Sequence, residues 1–158
     1  MSPVHKFLIS VDEVEPLDVG NDEGFRGVDS RLILSDRTVG SDRSCLFRVV
    51  FPKGAYHGPH LHTKSDELLF ALRGRAIQWV KGTEYVMTPG TAMIIPKNVV
   101  HWMRNDWDEE FEVIGIYPDV PNFDKTGQQL MASWEEYDFS PRKSGVQKNG
   151  GGEYGQDL

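Results

Sequence analysis

Apolar and polar positions alternate along most of this chain in short runs, and clusters of Gly, Pro, Asn and Asp cut the runs apart. Strands are predicted over residues 6–11, 31–35, 45–51, 68–73, 76–81, 84–87, 92–95, 100–105 and 111–117. Dense turn signals separate them, among them Pro52-Lys53-Gly54, Lys81-Gly82, Pro89-Gly90 and Pro96-Lys97-Asn98. Before about residue 120 no sustained 3.6-residue period appears, so helix is scarce there. Many short strands at this spacing predict a sandwich or closed barrel. Residues 124–137 are predicted as one short helix with Leu130, Met131 and Trp134 on a common face. The Gly-rich end, 140–158, reads as a flexible tail.

Length and composition narrow the function classes. A chain of 158 residues with 39% hydrophobic positions suits one soluble domain, placed at 1–139. No apolar run approaches the roughly 20 residues that cross a bilayer, and the N-terminus lacks a signal pattern, so a cytoplasmic location without membrane contact is expected. Seventeen basic residues against 24 acidic ones, with no basic tract, argue against nucleic acid. The single cysteine, Cys45, excludes an intrachain disulfide and lies in an apolar run that predicts a buried thiol. Metal or acid–base chemistry therefore falls to the histidines.

The informative stretch runs from Gly54 to Glu67. In an extended segment His60 and His62 point to one face, and the turn-prone Thr63 to Asp66 lets the chain return with Glu67 beside them. A later strand carries His101. Three imidazoles and a carboxylate converging inside a barrel would suit a divalent transition metal. From spacing alone the His-x-His pair also fits an exposed loop, Glu67 a solvated turn and His101 a hydrogen-bonded core residue.

The framing of these residues resembles the cupin superfamily, single-domain cupin 2 type. Its first motif is matched by Gly54, His60, His62, Glu67 and Gly74, and its second by Gly90, Pro96, His101 and Asn105. Asn98 stands where the family usually has Gly; Asn tolerates the left-handed region best among other residues, so a positive φ is expected there. The motifs cover 54–74 and 90–105, with 15 residues between them. The resemblance implies an antiparallel jelly-roll β-barrel and one divalent metal per chain on His60, His62, Glu67 and His101. Fe(II) or Mn(II) is favoured, with Zn(II) or Ni(II) as alternatives.

Four protein ligands leave two octahedral positions for a chelating small molecule, or for substrate and oxygen. The leading expectation is a dioxygenase acting on a small organic molecule. The alternatives are a non-oxidative isomerase, decarboxylase, lyase or cyclase, and a non-catalytic small-molecule-binding cupin. His57 and Tyr56, in the entering loop, are candidate catalytic residues. Arg48, Phe70, Gln78, Met93 and Met103 are candidate walls of the substrate pocket. A homodimer is expected, because strand alternation leaves an apolar face and the N-terminal strand for a partner.

Overall fold

The computed structural model of the chain describes residues 7–19 and 24–140. In chain order its strands are β1 (Phe25–Arg26), β2 (Asp29–Leu34), β3 (Ser44–Phe51), β4 (Tyr56–His62), β5 (Glu67–Arg73), β6 (Ala76–Val80), β7 (Thr83–Met87), β8 (Ala92–Ile95), β9 (His101–Arg104), β10 (Phe111–Pro118) and β11 (Gln128–Leu130). One sheet has the order β1-β4-β9-β6-β7, with β11 also paired to β4; the other has the order β2-β3-β10-β5-β8. Every pairing is antiparallel. The two sheets face each other as in a jelly roll.

Alternation builds the space between them. From β3, Cys45, Phe47, Val49 and Phe51 turn inward to meet Leu69 and Ala71 of β5 and Phe111, Val113 and Tyr117 of β10. Gly115 is required on that face: a Cβ there would stand 2.0 Å from the Phe47 ring. With that room, Phe47 stacks on Tyr117 at 4.8 Å between centroids. Cys45 is buried in this core, as its apolar run predicts.

The turns that frame the site need special backbone. Gly54 and Gly90 have positive φ, and a Cβ at Gly74 would lie 2.0 Å from the Glu110 carbonyl oxygen. Asn98 takes φ 66°, the left-handed conformation expected of a residue in that place.

Two expected elements do not form. Residues 124–137 make no helix: Phe123–Lys125 and Glu135–Tyr137 are 3-10 turns, and Gln128–Leu130 is a strand. Gly127, at φ 70°, sits against the Thr63 side chain and breaks the run, and the open edge of β4 then captures Gln128–Leu130. Tertiary pairing thus overrides a weak helical period. Near the N-terminus, the strand expected over 6–11 is absent from its described part. Ser10 and Glu13 instead form a capping box around a 3-10 turn, Val11–Glu13. Lys6 and most of the expected tail, from Pro141 onward, lie outside the described residues. Among the described residues no helix is long and apolar enough to cross a membrane.

Candidate metal centre

Neighbouring strands of one sheet, β4 and β9, and strand β5 of the other bring the candidate ligands together. His60 stands opposite His101 in the β4–β9 register, and His62 lies two residues along β4 on the same face. Glu67 opens β5 and reaches across from the second sheet. One donor atom from each of His60, His62, Glu67 and His101 lies within 4.8 Å of all the others, and all four residues are buried.

The imidazole tautomers follow from their outer partners. His60 Nδ1–H donates to the Gly58 carbonyl at 2.7 Å, and His101 Nδ1–H to the Val99 carbonyl at 2.9 Å. Thr126 gives its hydroxyl proton to the Phe123 carbonyl at 2.8 Å, so its oxygen accepts from His62 Nδ1–H at 3.0 Å. With each Nδ1 engaged as donor, each Nε2 is left with a lone pair.

Those lone pairs meet a carboxylate. His101 Nε2 and His62 Nε2 lie 2.8 and 3.6 Å from Glu67 Oε2. Glu67 Oε2 and His101 Nε2 nevertheless have no hydrogen-bond partner, because neither atom carries a proton to share. Acceptors crowded in a buried space call for a cation, and the nitrogen–oxygen donor set suits a divalent transition metal. The residues therefore fit the metal that the motifs imply.

The surroundings tune these groups. Burial, reinforced by His101 and His62, holds His60 well below the ordinary imidazole range. Burial also pushes Glu67 up, but the facing His101 and His62 rings outweigh it, and its carboxyl is held well below the usual range. Tyr117 donates to Glu67 Oε1 at 3.2 Å. Burial and then the Glu67 charge push the Tyr117 phenol well above its ordinary value, so it stays protonated.

On one side of the cluster lies a cavity of about 10 Å³, lined by Phe47, Val49, Phe51, His57, His60, Glu67, Leu69, Gln78, His101, Met103 and Val113. That is room for a single water-sized or diatomic molecule, in mostly apolar walls. Gln78 and Met103 thus reach the cavity, with the Gln78 amide tied to the Trp102 carbonyl at 2.9 Å. His57 lines it too. Burial pushes its imidazole down to about 3, and its Nε2 has no partner.

The other expected site residues fall elsewhere. Tyr56 packs on Trp134 and Phe139, because it alternates with His57 on β4 and faces the outside of its sheet. Arg48 alternates with Phe47 and Val49 and pairs with Glu112 at 2.6 Å on the outside of the other sheet. Phe70 is 46% exposed, on the opposite face of β5 from Glu67 and Leu69. Met93 pairs with Leu69 one strand further out and packs on the core without lining the cavity.

Sequence reasoning missed Tyr117 and Thr126. Tyr117 was legible in the alternation Phe111, Val113, Gly115, Tyr117, whereas Thr126 is 64 residues from His62 and carries no local signal. Asn105 closes the second motif as a clamp. Its Nδ2 donates to the Phe51 and Glu109 carbonyls, both at 2.8 Å, and its Oδ1 accepts from the Trp107 N–H.

Residues 47–117 match the family model of the cupin domain. The chain is a cupin-domain protein. This cupin is 25% identical over 114 residues to the polyketide synthase CurC of Streptomyces cyaneus, covering 72% of this chain and 70% of that one. Among solved structures it resembles a cupin-like protein from Thermotoga maritima, with 28% identity, a TM-score of 0.63, and coverage of 78% and 92% of the two chains. It also shares the fold of the polyketide cyclase RemF from Streptomyces resistomycificus, with 18% identity, a TM-score of 0.64, and coverage of 72% and 79%.

Proposed function

We propose that this cupin is a metal-dependent dioxygenase acting on a small organic molecule, with His60, His62, Glu67 and His101 as ligands of Fe(II) or Mn(II). The observation that carries the reading is the pairing of an acceptor-only cluster with a small, mostly apolar cavity of diatomic size beside it. A metal bound there supplies Lewis acidity toward the organic molecule and redox chemistry toward oxygen. The protein's own residues do the rest. Gly58, Val99 and Thr126 fix the three imidazoles, and Tyr117 holds a proton on its hydroxyl against Glu67. Phe47, Val49, Phe51, Leu69 and Val113 give the cavity its apolar walls, and neutral His57 lines it as a hydrogen-bonding group.

Metal analysis of untagged protein, paired with oxygen-uptake assays on catechols, diketones and hydroxy acids, tests this. Near-stoichiometric iron or manganese and metal-dependent uptake are expected, both lost in Glu67→Ala. Protein that takes up no metal on reconstitution would overturn the reading and leave a small-molecule-binding cupin.

A second reading, non-oxidative cyclisation or decarboxylation, draws support from the names of relatives. Besides the two polyketide proteins, the fold is shared with a predicted oxalate decarboxylase from Thermotoga maritima, with 19% identity, a TM-score of 0.63, and coverage of 72% and 100%. Turnover under anaerobic conditions would select it.

The reading includes a single domain over 1–139 that forms a homodimer. Leu72, Phe70, Ile94 and Ile116 are 42%, 46%, 59% and 37% exposed on the outer face of one sheet. They surround Leu68, which stands opposite both Ile94 and Ile116. A flat apolar face of this kind suits a second copy across a two-fold axis. Light scattering should give twice 17.9 kDa, and Phe70→Glu combined with Ile94→Glu should give the monomer mass; a wild-type monomer rejects the dimer.

A further inference from the structure

A second cavity, of about 210 Å³, opens beyond two phenylalanine rings. Phe25 and Phe123 wall it, and the same rings touch the candidate ligands: Phe25 lies 5.7 Å from His60 and Phe123 lies 6.3 Å from His62, centroid to centroid. Strand register ties the cavity to the cluster a second time. Gln128 and Leu130, both lining it, stand directly opposite His62 and His60 across the β11–β4 pair. Opposed residues of an antiparallel pair project from the same face. The chamber and the ligand cluster therefore share one side of the sheet.

Its chemistry is specific. Leu17, Leu32 and the two phenylalanine rings form apolar walls. Arg37 is paired with Asp124, and with side chains 59% and 62% exposed the two mark the solvent rim. Gln128 lines the chamber, and its side-chain oxygen is buried and has no hydrogen-bond partner. A buried amide oxygen without a donor is rare and unfavourable unless something else supplies one. At about 210 Å³ the chamber has many times the room one water needs and takes a ligand the size of a bicyclic ring system. The cavity of about 10 Å³ on the other side has no such room.

We propose that this chamber docks the organic substrate, that it takes a planar, mostly apolar ring carrying a hydroxyl group, and that Gln128 accepts the hydroxyl hydrogen. Gln128 is then a specificity-determining residue, setting which end of the ring faces the cluster. The proposal deepens the dioxygenase reading and rests on it only for the chemistry after docking.

Fluorescence titration with 2-naphthol and with naphthalene, on protein as purified and after chelator treatment, tests it. Wild type should prefer 2-naphthol about fivefold, the size of one net hydrogen bond. Gln128→Leu should abolish that preference and leave naphthalene binding intact. Gln128→Glu, which keeps an acceptor, should retain the preference. Val19 also lines the chamber and is partly exposed, so Val19→Trp should fill it and weaken both probes about tenfold or more. Absence of naphthol binding, a preference that survives Gln128→Leu, or indifference to Val19→Trp would each overturn the proposal. Naphthol binding with this pattern, in protein that consumes no oxygen, would instead sink the dioxygenase reading and leave the chamber standing.

Discussion

Strand β9 separates two buried regions that could hardly be more different. All four of its residues are buried. His101 and Met103 turn inward, where Glu67 Oε2, His101 Nε2 and His57 Nε2 are left without hydrogen-bond partners. Trp102 turns outward into a cluster with Ile77, Trp79 and Phe139, ringed by Tyr56, Trp107, Trp134 and Tyr137. On that outer face two indole N–H groups are satisfied: Trp102 donates to the Tyr137 carbonyl at 2.7 Å and Trp134 to the Met131 carbonyl at 3.1 Å. Equal burial thus has two meanings. Where buried polar atoms find partners, the face stabilises the fold. Where acceptors face acceptors, stability has been given up and a ligand is required to complete the structure.

The largest expected effect lies on the outer face. Trp102→Ala removes a fully buried ring that stacks on Trp79 and meets Phe139 edge-on. Urea unfolding should show a loss of about 3–5 kcal/mol, while the protein that remains folded still binds metal in the same ratio. Loss of metal from that folded fraction would show that the two faces are coupled.

On the inner face the signs should divide. Glu67→Gln removes the only carboxylate of the cluster, and metal affinity should fall roughly 100-fold or more, about 2.7 kcal/mol. Metal-free protein should be no less stable, because the new amide N–H can donate to the lone pair of His101 Nε2. Isothermal titration with Fe(II) or Mn(II) and chemical unfolding of the metal-free variant measure the two quantities. A metal-free variant several kcal/mol weaker than wild type would mean that Glu67 is chiefly structural.

The inner face was far more legible in the sequence than the outer one. Motif spacing placed His60, His62, Glu67 and His101, and the left-handed Asn98 followed from the residues that tolerate positive φ. Alternation separated Glu67, Leu69 and Ala71 from Phe70 and Leu72. Those signals are local. The segment after Pro118 obeys partners that are distant in sequence. Gln128–Leu130 is a strand because β4 offers a free edge, and Phe139 is buried because Trp102 and Tyr56 await it. Neither demand is written within the segment, whose own weak period suggested a helix. Arg48 and Phe70 failed as pocket walls for a simpler reason: alternation fixes which residues share a face, but not which face is inside.

Thr126 joins the two kinds of information, a distant residue serving the motif histidines. Its hydroxyl is fully committed, donating to Phe123 and accepting from His62, so Thr126→Val removes the acceptor with little change in shape. His62 Nδ1–H would then be buried without a partner, and the ring would be freer to rotate or switch tautomer. Metal affinity should drop about tenfold, near 1.4 kcal/mol, with the site still assembled. Thr126→Ser should restore it. An unchanged affinity in Thr126→Val would assign the orientation of His62 to packing against Phe123 and Tyr117 alone.

The smallest effect concerns Cys45, on the inner face of the opposite sheet. Burial pushes its thiol up to about 11, against a weaker opposing pull from a backbone hydrogen bond with Tyr117, and Asp36 adds to the rise. The thiolate is the reactive form, so native protein at pH 9 holds Cys45 as an unreactive thiol where an exposed cysteine would be largely ionised. Iodoacetamide should label it at least about tenfold more slowly than it labels the urea-unfolded chain, at a rate that follows local opening. The sign is fixed by the raised value: as pH climbs from the ordinary thiol range toward 11, the unfolded state sheds its proton first, and this group's contribution to stability declines. Cys45→Ala should remove that part of the alkaline loss and leave metal binding unchanged. Rapid labelling of the native protein at neutral pH would show instead that this thiol is exposed or held ionised, against its buried position in the core.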